Sequence, residues 1–264
     1  MFGGLTGFTN RSNTDFGEQM LNTVASQSIR HLFSKSDAIE VAIRCHPSSK
    51  ILQGSVDSFK MTGRGLTIRR QFSVEEMSFE TDAVMLDVGS VFSGKIRLRQ
   101  PTQAVAQVLL SEQAINEAFT ADLVQKRLKD VDLDVLTQLS GGEPVSFRDV
   151  SVELRPGNKV AIAAKTDLPN REDVPIAMVA TLEIEKRRRL KFVDAEFQAD
   201  GIDADVRSLS ETITTAFTQV LNEMVDLDRF DLDGVLLRLN RLEVEGKNLV
   251  FSGYAQIDHF PGMK

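Results

Sequence analysis

The residues best spaced to meet an anion are two sets of cations. Lys186, Arg187, Arg188 and Arg189 are consecutive, with Lys191 just beyond, between two strand-like runs. Arg97 and Arg99 alternate with Ile96 and Leu98. Such a run is most often a solvated turn. Against an anionic membrane each cation contributes roughly 1 kcal/mol. Arg97, Arg99, Lys186, Arg187, Arg188 and Arg189 are therefore the candidate headgroup or membrane contacts. With no tryptophan in the chain, such contact should be shallow.

Metal and catalytic readings fail on spacing. The run DLDRFDLDG (226–234) invites a calcium reading, but it puts Phe230 at the fifth loop position, Asp231 where glycine belongs and Leu237 where a bidentate glutamate belongs. An exit from a helix into a strand is the simpler reading. His31, His46 and His259 are scattered, and none lies within a Ser or Cys nucleophile motif. There is no G-x-S-x-G, no P-loop and no G-x-G-x-x-G. The expectation is a protein that is not an enzyme and uses no metal or cofactor. His46 with Asp57 or Asp82 is the first place to look for a polar cluster that would say otherwise.

Bulk properties narrow the class. A chain of 264 residues fits one large domain or two small ones and buries roughly three quarters of its extended surface. The expected division is a tail over 1–13 and a single domain over 14–264. Lone Cys45 sits in the alternating run Ile39, Val41, Ile43, Cys45 and reads as core. Net charge −7 gives no positive field for nucleic acid. No window reaches the roughly 18 apolar residues of a membrane span, and residues 1–13 do not read as a secretory signal. The expected location is cytoplasmic, with peripheral membrane contact allowed. Sixteen phenylalanines against one tyrosine supply apolar volume with no polar handle, which suits either a packed core or an apolar cavity.

The elements that must position these residues follow from hydrophobic period. Residues 15–33 read as a helix with Phe16, Met20, Leu21, Val24, Ile29, Leu32 and Phe33 on one side. Strands are expected at 38–46, 54–61, 66–72 and 74–81. Residues 95–100 alternate as a half-buried strand, ended by Pro101. A strand follows at 102–110, then Ser111 as N-cap with Glu112 in the first turn of a helical region to 128. Hairpins turn at 155–158, 186–189 and 245–248. A long helix over 206–225 carries Val206, Leu209, Ile213, Phe217, Val220, Leu221 and Met224 as a stripe. The fold class is α+β: a strongly curved antiparallel sheet wrapped around long amphipathic helices, since a helix of 20 residues spans about 30 Å.

The order of motifs carries a resemblance. The segments LQGSVD (52–57), GRGL (63–66), GKIRLRQPTQAVAQVLLSEQAINEAF (94–119) and LEVEGKNLVFSGYAQIDHFP (242–261) resemble the LmeA-like phospholipid-binding family, nearest its cyanobacterial and plastid branch. The resemblance covers residues 16–261. It implies acyl chains held in an elongated apolar tunnel and an architecture like the tubular lipid-binding (TULIP-like) proteins. These motifs are strand, turn and helix signatures, so they specify family better than activity.

The expected function is non-enzymatic binding, or transfer, of phospholipid at or near a membrane surface, with phospholipid or fatty acid as the bound molecule. The candidate lipid-binding residues are Met20, Leu21 and Val24 on the first helix and Leu209, Ile213, Phe217, Val220, Leu221 and Met224 on the long one. A buried methylene contributes about 0.8 kcal/mol, so one acyl chain gains on the order of 10 kcal/mol before ordering costs. The rival is a solidly packed interaction protein with a protein partner. Cavity volume separates the two.

Overall fold

Strands dominate, and every pairing between them is antiparallel. The computed structural model describes residues 16–92, 97–229 and 234–259. The expected tail over 1–13 lies outside them, as do Lys95 and Ile96 of the expected strand at 95–100. The described elements are, in order, α1 (Phe16–Arg30), β1 (Ala38–Arg44), a 3-10 turn (Ser48–Gln53), β2 (Ser55–Val56), β3 (Ser58–Ile68), β4 (Phe72–Thr81), β5 (Val84–Met85), α2 (Val88–Phe92) and β6 (Thr102–Ser111). Then come α3 (Glu112–Ala118), α4 (Asp122–Leu128), α5 (Asp134–Leu139), β7 (Phe147–Arg155), β8 (Lys159–Leu168), β9 (Arg171–Glu185), β10 (Arg189–Phe197), α6 (Arg207–Met224), a 3-10 turn (Leu227–Arg229), β11 (Val235–Glu245) and β12 (Asn248–Ile257).

The strands form a six-stranded sheet, β1-β3-β4-β6-β12-β11, a four-stranded sheet, β10-β9-β8-β7, and a ribbon of β2 with β5. One sheet wrapped around both long helices was expected. Instead each helix lies on its own sheet, α1 against β1 and α6 against β9 and β10, and neither sheet closes into a barrel. The length argument for wrapping fails on β9. Its 15 residues extend about 50 Å at strand rise, while the 18 residues of α6 extend about 27 Å. A strand of that length can back the helix with no need to bend around it.

Local chemistry explains most boundaries. The Ser111 hydroxyl accepts from Ala114 N at 3.1 Å and starts α3 as its N-cap. The helical region over 112–128 is two helices, because a turn at 119–121 separates α3 from α4. β3 runs through Gly63 and Gly65, and the hairpin turns at Arg69 and Arg70 instead, both at positive φ. Gly65 takes φ +57°, and a Cβ there would collide with the Asp37 carboxylate. The strand thus needs a glycine for close approach at a position that reads from sequence as a break. Of the expected strand at 95–100, the described part makes one bridge, Leu98 with Leu86.

Both sheets end in strands whose outward backbone groups must be satisfied. Asparagine side chains meet all four. Asn22 of α1 accepts from Ile43 N on β1. Asn158, in the β7–β8 turn, accepts from Val244 N and donates to Leu242 O on β11. Asn116 of α3 and Asn222 of α6 do the same for β7 and β10.

The larger core joins α6 to the four-stranded sheet and takes in Leu242 and Leu249 from the β11–β12 hairpin. A second joins Ala25 and Ile29 of α1 to β1, β3 and the β2–β5 ribbon. Cys45 is buried in it, as its alternating run implied.

Candidate functional site

Register across the six-stranded sheet defines one apolar face. Ile43 of β1 pairs with Phe59 of β3, Phe59 with Thr81 of β4, Thr81 with Ala104 of β6, and Ala104 with Ala255 of β12. Successive side chains alternate between faces, so Ala106 and Gly253, paired on the next row, share that face with Ala104 and Ala255. These small residues make a shallow floor at the sheet centre. Ala104, Ala106, Ala255 and Ile257 are buried there, with Phe79, Leu98, Val235 and Leu237 half-buried against them.

A pocket opens beside this floor. It is lined by Ile43, Val56, Phe59, Thr81, Val84, Leu86, Thr102 and Ile257. Val56 and Val84 are paired in the β2–β5 ribbon, which therefore forms one wall. The cavity measures about 20 Å³, room for about one water molecule and far short of an acyl chain. Gly54 anchors the ribbon at φ +78°, and a Cβ there would collide with the Leu86 carbonyl oxygen.

The α6 candidates lie elsewhere. Ile213, Phe217 and Leu221 are fully buried and Met224 nearly so, with Leu209 and Val220 half-buried. The Phe217 ring stands 4.7 Å from that of Phe147. This stripe is filled by the protein's own core. On α1 the side chains of Met20, Leu21 and Val24 lie outside the described part of the structure. The described Ala25 and Ile29 pack onto the cluster that borders the pocket. The structure thus brings α1 to the cluster that borders the pocket and keeps α6 in the other core.

Three of the four cations of the basic turn 186–189 are engaged within the fold, and Lys186 is exposed. Arg189 Nε donates to Asp226 Oδ2 at 2.7 Å. Arg188 Nη1 donates to Asp228 Oδ2 at 2.5 Å, and Arg238 reaches the other oxygen of Asp228 at 2.7 Å. Arg187 donates to Asn240 and stands 5.8 Å over the Tyr254 ring. Asp226 is 3% exposed. Burial pushes its carboxyl up, but the Arg189 hydrogen bond, the Asp228 N–H and the two guanidinium charges outweigh that and hold it below its ordinary value. Asp228 is likewise held low, by Arg188 first and then Arg238. Asp226 and Asp228, the described aspartates of the run 226–234, serve these arginines. Among the described residues no group of three or more His, Cys, Asp and Glu side chains stands close enough to hold a metal ion. Sequence spacing could not show these pairs, because the partners lie some 40 positions apart.

Arg97 and Arg99 are exposed and sit beside the ribbon. Arg97 O accepts from Asp87 N, and Arg99 N donates to Met85 O, each at 2.8 Å. Arg99 Nη1 approaches Gln53 O at 3.5 Å. The 3-10 turn Ser48–Gln53 lies here too, with Leu52 70% exposed, a residue the sequence reading did not single out as a contact.

His46 and Asp57 do meet, but through the His46 backbone, whose N–H donates to Asp57 Oδ2 at 2.6 Å. The other Asp57 oxygen accepts from Lys50 Nζ at 2.6 Å. The Lys50 hydrogen bond, then the His46 N–H, hold the Asp57 carboxyl below its usual range. A carboxylate fixed this way closes a loop between the end of β1 and the 3-10 turn. No helix among the described residues is long and apolar enough to cross a membrane.

A sequence model of one family, described as LmeA-like phospholipid-binding, matches residues 13–253. No curated protein and no solved structure matches the chain.

Proposed function

The chain belongs to the LmeA-like phospholipid-binding family, and from that premise we propose that it binds phospholipid without chemistry, at or near a membrane surface. Family membership is the observation that carries this reading. The finer placement, in the cyanobacterial and plastid branch, rests on the four sequence segments alone. An elongated tunnel and a TULIP-like architecture are likewise proposals drawn from the resemblance.

The acyl chain is assigned to the apolar face of the six-stranded sheet, entered through the pocket bounded by Ile43, Phe59, Thr81 and Ile257. At about 20 Å³ that pocket must widen to admit a chain. Of the two long helices, the one that moves at least cost is α1, which packs on the cluster bordering the pocket. Of its described side chains only Ala25 and Ile29 are buried, and exposing an isoleucine costs about 2 kcal/mol. Lifting α6 would expose Ile213, Phe217, Leu221 and Met224, about 6–12 kcal/mol as an upper bound. Met20, Leu21 and Val24 on α1 are thus the favoured helical wall. Leu209, Ile213, Phe217, Val220, Leu221 and Met224 form a wall only if α6 leaves its sheet. For the headgroup the proposal favours Arg97 and Arg99, which are exposed beside the ribbon that walls the pocket.

The rival, a packed interaction protein, is favoured by one observation: the α6 stripe is sealed by Phe147 and its neighbours. Native mass spectrometry of the purified chain, with lipid extraction and uptake from liposomes, separates the two. A phospholipid adduct supports the carrier. Reproducible absence of lipid in both experiments supports the rival.

A further inference from the structure

We propose that the 3-10 turn Ser48–Gln53 is a membrane-docking tip, with Leu52 entering the lipid interface and Arg99 binding anionic headgroups beside it. This rests on the phospholipid reading above and adds the end of the molecule through which lipid arrives.

Three observations converge on the turn. Leu52 is 70% exposed, the most exposed of the large apolar side chains among the described residues. A single exposed leucine is ordinary, but this one is flanked by cations. Arg99 Nη1 lies 3.5 Å from the carbonyl of Gln53, the next residue. In the described segments that build this end, 44–57, 85–92 and 97–99, Arg44, Lys50, Arg97 and Arg99 stand against Asp57 and Asp87. The chain as a whole carries net charge −7, so this is a local reversal of sign. The turn also borders the pocket. Gly54, which ends it, accepts from Leu86 N, and Leu86 and Val56 line the cavity. Shallow insertion of one apolar side chain together with cations on anionic lipid is the two-signal arrangement that holds peripheral proteins reversibly. A protein partner would leave the apolar pocket under the turn unexplained.

Flotation with vesicles of phosphatidylcholine, with and without phosphatidylglycerol, tests the tip. Leu52→Asp should weaken binding to the mixed vesicles about tenfold. Arg99→Glu should weaken it about tenfold only when phosphatidylglycerol is present. Lys186→Glu, in the β9–β10 turn, should leave it unchanged. Lipid delivered from detergent micelles and read by native mass spectrometry should still load the Leu52→Asp chain, because Leu52 lies outside the pocket lining. Unchanged flotation of Leu52→Asp, or loss with Lys186→Glu in its place, overturns the tip while lipid loading stands. Failure of the wild-type chain to load lipid at all sinks the phospholipid reading itself.

Discussion

The Asn222 side chain binds both backbone groups of Phe192: Oδ1 accepts from Phe192 N at 2.7 Å, and Nδ2 donates to Phe192 O at 3.3 Å. Phe192 lies on β10, an outer strand of the four-stranded sheet, so α6 is stitched to the sheet edge by one amide. Asn116 treats Val152 on the opposite edge alike, at 2.7 and 2.8 Å. An amide suits this task because it carries a donor and an acceptor side by side, as the peptide group does. The same clamp blunts edges that would otherwise template strand addition.

Asn222→Leu should therefore destabilise by about 1–3 kcal/mol in urea unfolding, the cost of leaving two half-buried backbone groups unpaired. Asn222→Asp keeps the acceptor and should lose less. The Leu variant should also self-associate more readily at high concentration, read by light scattering. Unchanged stability in both variants would show that the edge is satisfied some other way.

Asp226 gives a pH signature. Its folded carboxyl is held below the ordinary 3.8, so its contribution is present above the unfolded value and is lost as pH falls through the folded one. Melting temperatures measured from about pH 6 down to about pH 2 should fall on the acid side, and Asp226→Asn should flatten that limb. Asp226→Ala should cost about 3 kcal/mol at neutral pH, because Arg189 and Arg188 lose a buried partner. An acid limb identical in wild type and Asp226→Asn would remove Asp226 from the account.

Gly54→Ala tests the wall of the pocket. The added methyl would meet the Leu86 carbonyl oxygen at a backbone angle that side chains disfavour. The expected cost is about 1–3 kcal/mol, with lipid retention lost at temperatures where far-ultraviolet circular dichroism is still native. Retention equal to wild type would separate the ribbon from the site.

Legibility from sequence followed chain distance. The Ser111 cap, the turns at 155–158, 186–189 and 245–248, and both long helices rest on neighbours within a few positions, so residue type revealed the cap and turns and hydrophobic period the helices. The Arg69-Arg70 turn was missed because two arginines at positive φ have no turn signature, while the nearby glycines do. Sheet order was not legible: β6 pairs with β4 and β12, and nothing local states that. The basic run at 186–189 read as a solvated tip because its anions, Asp226 and Asp228, are far along the chain. The pocket was hidden for the same reason, since Ile43 and Ile257 come from opposite ends of the sequence.

Photoaffinity labelling with a phospholipid bearing a diazirine near its acyl terminus addresses the central claim most directly. The account predicts labelled peptides from β3, β4 and β12, around Phe59, Thr81 and Ile257, competed by unlabelled phospholipid. Labelling confined to α6, or no labelling above that of a soluble control protein, would contradict it.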